Sequence, residues 1–127
     1  MIAIADSTVV FHLTYHESTM RKFIKDLGIK QLFITRITYL ELLSGASENF
    51  KISARKALNH FPIIEFDKKA VEVGSRLSMK YRVGAKNSKD FIIACIAIAH
   101  DVSLLTENDK DFNYNELNVM PYRIKLK

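Results

Sequence analysis

DFIIACIAIAHDVSLLTEN, residues 90–108, sets the architecture of this chain. Nine apolar residues run from Phe91 to Ala99 and read as a buried helix, far short of the roughly 20 needed to span a bilayer. After the break at His100 and Asp101, Val102 to Leu105 reads as a strand. It is too apolar for a sheet edge and belongs in the sheet interior. Polar residues stand at both ends of the unit. Asp90 opens the helix, and Asn108, with Asp109 and Asp111 beside it, follows the strand.

Outward from this unit, short β-rich runs alternate with amphipathic stretches. Strands are expected near residues 2–5, 32–35, 62–66, 102–105 and 119–124. Met20, Phe23, Ile24 and Leu27 recur at helical spacing and predict a helix over Thr19–Leu27. Further helices are expected over Thr38–Ser44, about Ser53–His60, and from an Asp67 cap through Ala70, Val73, Leu77 and Tyr81. The alternation predicts an α/β fold of three layers, with a central parallel sheet of about five strands flanked by helices and joined by right-handed crossovers. The 127 residues suit one domain, 1–127.

Composition narrows the class. A 48% hydrophobic fraction supports a continuous core, and a 26% charged fraction is ordinary for a soluble chain. The N-terminus lacks the basic region and cleavage site of a signal peptide. Cys95, the one cysteine, has no partner for an internal disulfide and falls within the apolar helix. A cytoplasmic protein with an inert Cys95 and no membrane association is the expectation. The net charge of +5 favours an acidic partner without establishing one. Its distribution is more telling: Lys80, Arg82, Lys86 and Lys89 fall in one stretch just before Asp90, and Arg123, Lys125 and Lys127 form a basic tail.

Four polar positions converge in this reading. Asp6 follows the strand Ile2–Ala5, Glu41 lies one turn into a helix after a strand, Asp90 begins a helix, and Asn108 follows a strand. In an alternating fold these positions share the sheet edge where sites form. Each acid also has a local explanation. Asp6 can hydrogen-bond to the amides of Thr8 or Val9 as an Asx turn. Thr38-Tyr39-Leu40-Glu41 fits a T-x-x-E capping box. Asp90 complements a helix dipole, and Asn108, Asp109 and Asp111 can form a polar turn. Capping does not explain why all of them fall at one edge. Gathered carboxylates repel unless a cation or shared protons hold them. Magnesium and manganese take hard oxygen donors of this kind, and the basic stretch beside the acids suits a polyanion.

Other chemistries lack their signatures. There is no GxxxxGK[ST], GxGxxG or GxSxG. His12 and His16 are four apart, but Leu13 stands where a zinc protease has glutamate. Asp109, Asp111 and Asn113 mimic a calcium loop until Tyr114 and Met120 replace its glycine and glutamate.

At these same residues the chain resembles the PIN domain, and within it the VapC-type ribonuclease toxins of bacterial and archaeal toxin–antitoxin pairs. Ile4-Ala5-Asp6-Ser7-Thr8-Val9-Val10 is similar to the family's first strand and D-[ST]-x-V-[LI] signature. Ile37 to Ala46 resembles T-x-x-E-L-x-x-G-A. Asp90 to Ala97 resembles D-x-x-I-A-A-x-A with Cys95 for the second alanine, and Leu105 to Phe112 resembles T-x-N-x-x-D-F. The resemblance implies a PIN-like fold and a magnesium- or manganese-dependent RNA endonuclease. It makes Asp6, Glu41 and Asp90 metal-binding acids and leaves the fourth position to Asp111, Asp109 or Asn108; Asp111 is preferred, with Asn108 supporting. Thr8 and Thr106 would orient the acids or a metal-bound water through their hydroxyls. It further implies a homodimer and a small antitoxin whose tail occupies the site.

The reading that joins these strands is a metal-dependent endoribonuclease hydrolysing RNA phosphodiester bonds. Asp6, Glu41, Asp90 and Asp111 would hold the metal, and Lys80, Arg82, Lys86 and Lys89 the RNA backbone. Its alternative is a non-catalytic PIN-like domain that binds RNA or protein. DNA or flap cleavage ranks lower, because the short chain has no added element to grip branched DNA.

Overall fold

The computed structural model describes residues 1–15 and 17–121. His16 and the tail basic residues Arg123, Lys125 and Lys127 lie outside them. In chain order the elements are β1 (Ile2–Ala5), α1 (Ser7–Tyr15), α2 (Glu17–Asp26), β2 (Gln31–Phe33), α3 (Arg36–Gly45), α4 (Lys51–Leu58), α5 (Lys68–Lys80), α6 (Ser88–Ala99), β3 (Ser103–Thr106) and β4 (Val119–Pro121). The strands form one parallel sheet in the order β2-β1-β3-β4. β3 is interior, as its apolar run predicts.

Side-chain alternation along the two central strands separates the core into two layers. Ile4 and Leu104 face the cluster made by α5 and α6, with Val73, Leu77, Ile93 and Ile96. Ala3, Ala5 and Leu105 face the cluster made with α1, α2 and α4, including Val9, Val10, Met20 and Leu58. Adjacent residues on one strand thus serve opposite layers, as the pleat requires. Fully buried Ile96, Leu104 and Leu105 seal the middle.

The expected strand over 62–66 does not form. The described residues hold four strands, and only an isolated parallel bridge links Ile34 to Ile63. Pro62 has no amide hydrogen to donate, so it contributes only its carbonyl, to the Ile34 amide at 3.1 Å. Ile64 returns one bond to the Ile34 carbonyl before Glu65 and Phe66 turn to solvent. The strand expected over 119–124 is described as far as Pro121.

Helix starts also differ from expectation. α1 was not anticipated; Val9 and Val10 are poor helix formers, yet both are buried. Packing outweighs propensity there. α3 begins at Arg36, because Thr35 rather than Thr38 caps it and accepts from the Thr38 amide at 3.2 Å. Glu41 is therefore too far along for a capping box. α2 ends at Asp26, and the turn after it passes through Gly28, whose φ of +78° is open to glycine without strain.

The chain leaves β1 toward β2 on one side, while β3 pairs on the other. Between the carboxyl ends of β1 and β3 lies the crevice where such a sheet binds ligands.

Candidate active site

Asp6 lies in that crevice, immediately after β1 and before α1. Its carboxylate is only 6% exposed and takes three donors: the Val9 amide at 3.2 Å, the Thr8 hydroxyl at 2.7 Å, and the Thr106 hydroxyl from the end of β3. The Asx-turn explanation of Asp6 is therefore physically present, since Val9 does donate to it. It coexists with a bond across the sheet that local turn chemistry does not require. Thr106 is fully buried and also accepts from the Asn108 amide at 2.9 Å. One hydroxyl thus ties the loop after β3 to the acid after β1.

Asp90 stands in the first turn of α6, half-buried. Its carboxyl is held above the ordinary carboxylate range, first by burial and then by the negative charges of Asp111, Asp6 and Glu41; Lys89 pulls it partly back. Acids from three other segments therefore act on Asp90. The residues nearest in sequence to Asp111 divide their tasks. Asn108 bonds Thr106 through its backbone, and Asp109–Asp111 form a short 3-10 turn that carries the Asp111 charge toward Asp90.

Glu41 projects from the middle of α3 and meets a cation. Lys89 donates to its Oε2 at 2.9 Å. The Glu41 carboxylate and the Asp90 charge both raise the Lys89 ammonium above its usual range. This is one way for gathered acids to be held, and the cation sits next to Asp90 in sequence.

The basic stretch does not act as a block. Lys80 pairs with Glu116 at 3.0 Å, and Lys89 with Glu41. Arg82 and Lys86 are exposed. Nothing in the sequence gives Glu116 or Tyr114 a place beside the site. Glu116 also accepts from the Tyr81 hydroxyl at 2.8 Å, and Tyr114 packs edge-on against Tyr81 and beside Phe91. Burial is the main reason the Tyr114 phenol is raised, with Cys95 and Asp90 adding to it. Its packing partners lie 33 and 23 residues away, so no local pattern marks it.

The donor set is entirely carboxylate oxygen, which fits a hard divalent cation and no soft one. Among the described residues no group of three His, Cys, Asp or Glu is arranged to hold a metal ion as it stands. Glu41 committed to Lys89 and Asp6 committed to its three donors are consistent with that. The mutual action on Asp90 is what marks the four acids as one site. A separate cleft lined by Val10, Phe11, Leu42, Ala46 and Leu58 reaches Glu41 from the side of α1 and α4.

The family model described as PIN domain matches residues 3–116. No curated protein matches the chain at a significant level. Solved structures do. A chain of a toxin–antitoxin complex from Klebsiella pneumoniae is 27% identical, with a TM-score of 0.74, over 96% of this chain and 99% of that one. A chain of VapBC2 from Rickettsia felis, bound to a DNA fragment from its promoter, is 21% identical with a TM-score of 0.78, over 97% and 100%. A chain of VapBC-1 from nontypeable Haemophilus influenzae is 20% identical with a TM-score of 0.75, over 95% and 98%.

Proposed function

The chain belongs to the PIN domain family, and from there we propose that it is a metal-dependent endoribonuclease, the toxin of a toxin–antitoxin pair. The observation that carries this is the action of Asp111, Asp6 and Glu41 on Asp90. Burial and three like charges on one carboxyl serve no packing purpose, and they suit a centre that binds cations.

Asp6, Glu41, Asp90 and Asp111 would hold one or two magnesium or manganese ions. A divalent ion there supplies the Lewis acidity that eases loss of a water proton and offsets charge on a reacting phosphate. The chain's own residues do the rest. Thr8 and Thr106 fix the rotamer of Asp6, and Asn108 and Asp109 support the turn that presents Asp111. Arg82, Lys86 and Lys89 would hold the RNA backbone by charge, while Lys80, already on Glu116, is the weakest candidate of the four. The proposed unit is a single domain, 1–127, working in the cytoplasm as a homodimer. No described helix is long and apolar enough to cross a membrane.

Complexes of the kind matched by the solved relatives support an antitoxin partner. The apolar cleft that includes Glu41 in its lining offers a seat for a partner segment beside that acid. Incubation with total RNA, with manganese or with chelator, tests the activity. Cleavage that survives chelation, or that persists in Asp90→Asn, sinks it.

One observation favours the second reading, a PIN-like domain that binds RNA or protein without cutting: among the described residues no three acids stand ready for a metal. Titration with manganese separates the two, since bound metal stabilises the folded state by mass action. A melting temperature unmoved by millimolar manganese favours the non-catalytic reading.

A further inference from the structure

We propose that Lys89 is a resident counter-ion of the acid cluster, and that a divalent cation must displace it from Glu41 before that carboxylate can join the other three. The inference rests on the metal-dependent reading above. Lys89 lies in the first turn of α6 and Glu41 in α3, 48 residues away, yet the ammonium and carboxylate meet at 2.9 Å. The neighbour of Lys89 is Asp90, the acid on which the other three act. One positive charge therefore rests on Glu41 beside the acid on which the others act. Among the described residues, Glu41 is the only one of the four acids with a side-chain cation on it.

An ammonium and a metal ion seek the same lone pairs and exclude each other at contact distance. The Lys89 and Glu41 side chains are 63% and 40% exposed, so water screens the pair. A pair of this kind biases an equilibrium by no more than about fivefold. The apparent affinity for the cation falls by the reciprocal of the fraction of Glu41 left open. Once displaced, Lys89 keeps its charge at the rim of the site, on a flexible stem suited to a phosphate. The same side chain then guards the empty site and grips substrate at the loaded one.

The test compares manganese binding by wild type, Lys89→Met and Lys86→Met, using calorimetry and melting temperature without RNA. Methionine keeps the length of the stem and removes the charge. Lys86 is an exposed lysine three residues earlier and calibrates the general loss of a positive charge. Lys89→Met should bind manganese about three- to fivefold more tightly, and Lys86→Met less than twofold more tightly. Equal gains in the two variants, no gain at Lys89, or weaker binding there overturns the proposal. Wild type that takes up no manganese overturns the metal reading itself. Wild type that binds normally, with Lys89→Met unchanged, overturns only the role of Lys89.

Discussion

Replacing Asp90 with Asn removes the charge on which the acid cluster converges, and the response of stability to pH tells whether the cluster exists. The Asp90 carboxyl is raised in the folded protein by burial and by Asp111, Asp6 and Glu41. A carboxyl raised on folding contributes stability that is present below its unfolded value and lost as pH rises through its folded value. Wild type should therefore lose stability relative to Asp90→Asn as pH rises out of the ordinary carboxylate range. Each partly exposed charge contact is worth ~0.2–1 kcal/mol, discounted for solvent. Three repulsions against the single attraction of Lys89 leave a net of two. The variant should gain on wild type by about 0.5–2 kcal/mol over that rise, or roughly 2–8 °C in melting temperature. Thermal denaturation of both proteins in chelator, at several pH values, reads this directly. If Asp90 merely complements the α6 dipole, its carboxyl is lowered and the sign reverses, with the variant losing ground as pH rises. A flat or reversed difference refutes the convergent site. Added manganese gives a second arm: at ten times its dissociation constant it should stabilise wild type by about 1.4 kcal/mol and Asp90→Asn by much less.

Other outcomes follow from the same geometry. Thr106→Val keeps shape but removes the donor to buried Asp6 and the acceptor for the Asn108 amide, so chemical denaturation should show a loss of about 1–3 kcal/mol and RNA cleavage should fall with it. Thr35→Ala should cost about 1 kcal/mol as loss of the α3 cap, whereas Glu41→Gln should move stability by less than about 0.5 kcal/mol. The reverse ranking would restore the T-x-x-E box. Gly28→Ala places a β-carbon at a φ of +78° and should cost roughly 1–2 kcal/mol in denaturant melts, while leaving cleavage unchanged.

The layered fold could be read along the chain because burial in a parallel sheet leaves a local mark. Runs such as Ile2–Ala5 and Val102–Leu105 are apolar on both faces, and Met20, Phe23, Ile24 and Leu27 repeat with the helical turn. Pairing by Pro62–Phe66 left no comparable mark, since whether a proline-led segment forms one bridge or a strand depends on what its neighbour can donate. α1 escaped notice for a related reason: two adjacent valines argue for a strand until a sheet face is present to bury them.

The acids were visible as strand-end and helix-start residues, which is a property of position in the chain. Their partners were not. Thr35 takes the cap that Thr38 was assigned, by three residues of shift that no local rule resolves. Thr106 reaches Asp6 across 100 residues, and Lys89 reaches Glu41 across 48. Periodicity reports which face a residue shows to the core, because that is repeated every few residues. Which charge meets which depends on where separate crossovers return to the sheet, and that is a matter of long-range packing alone.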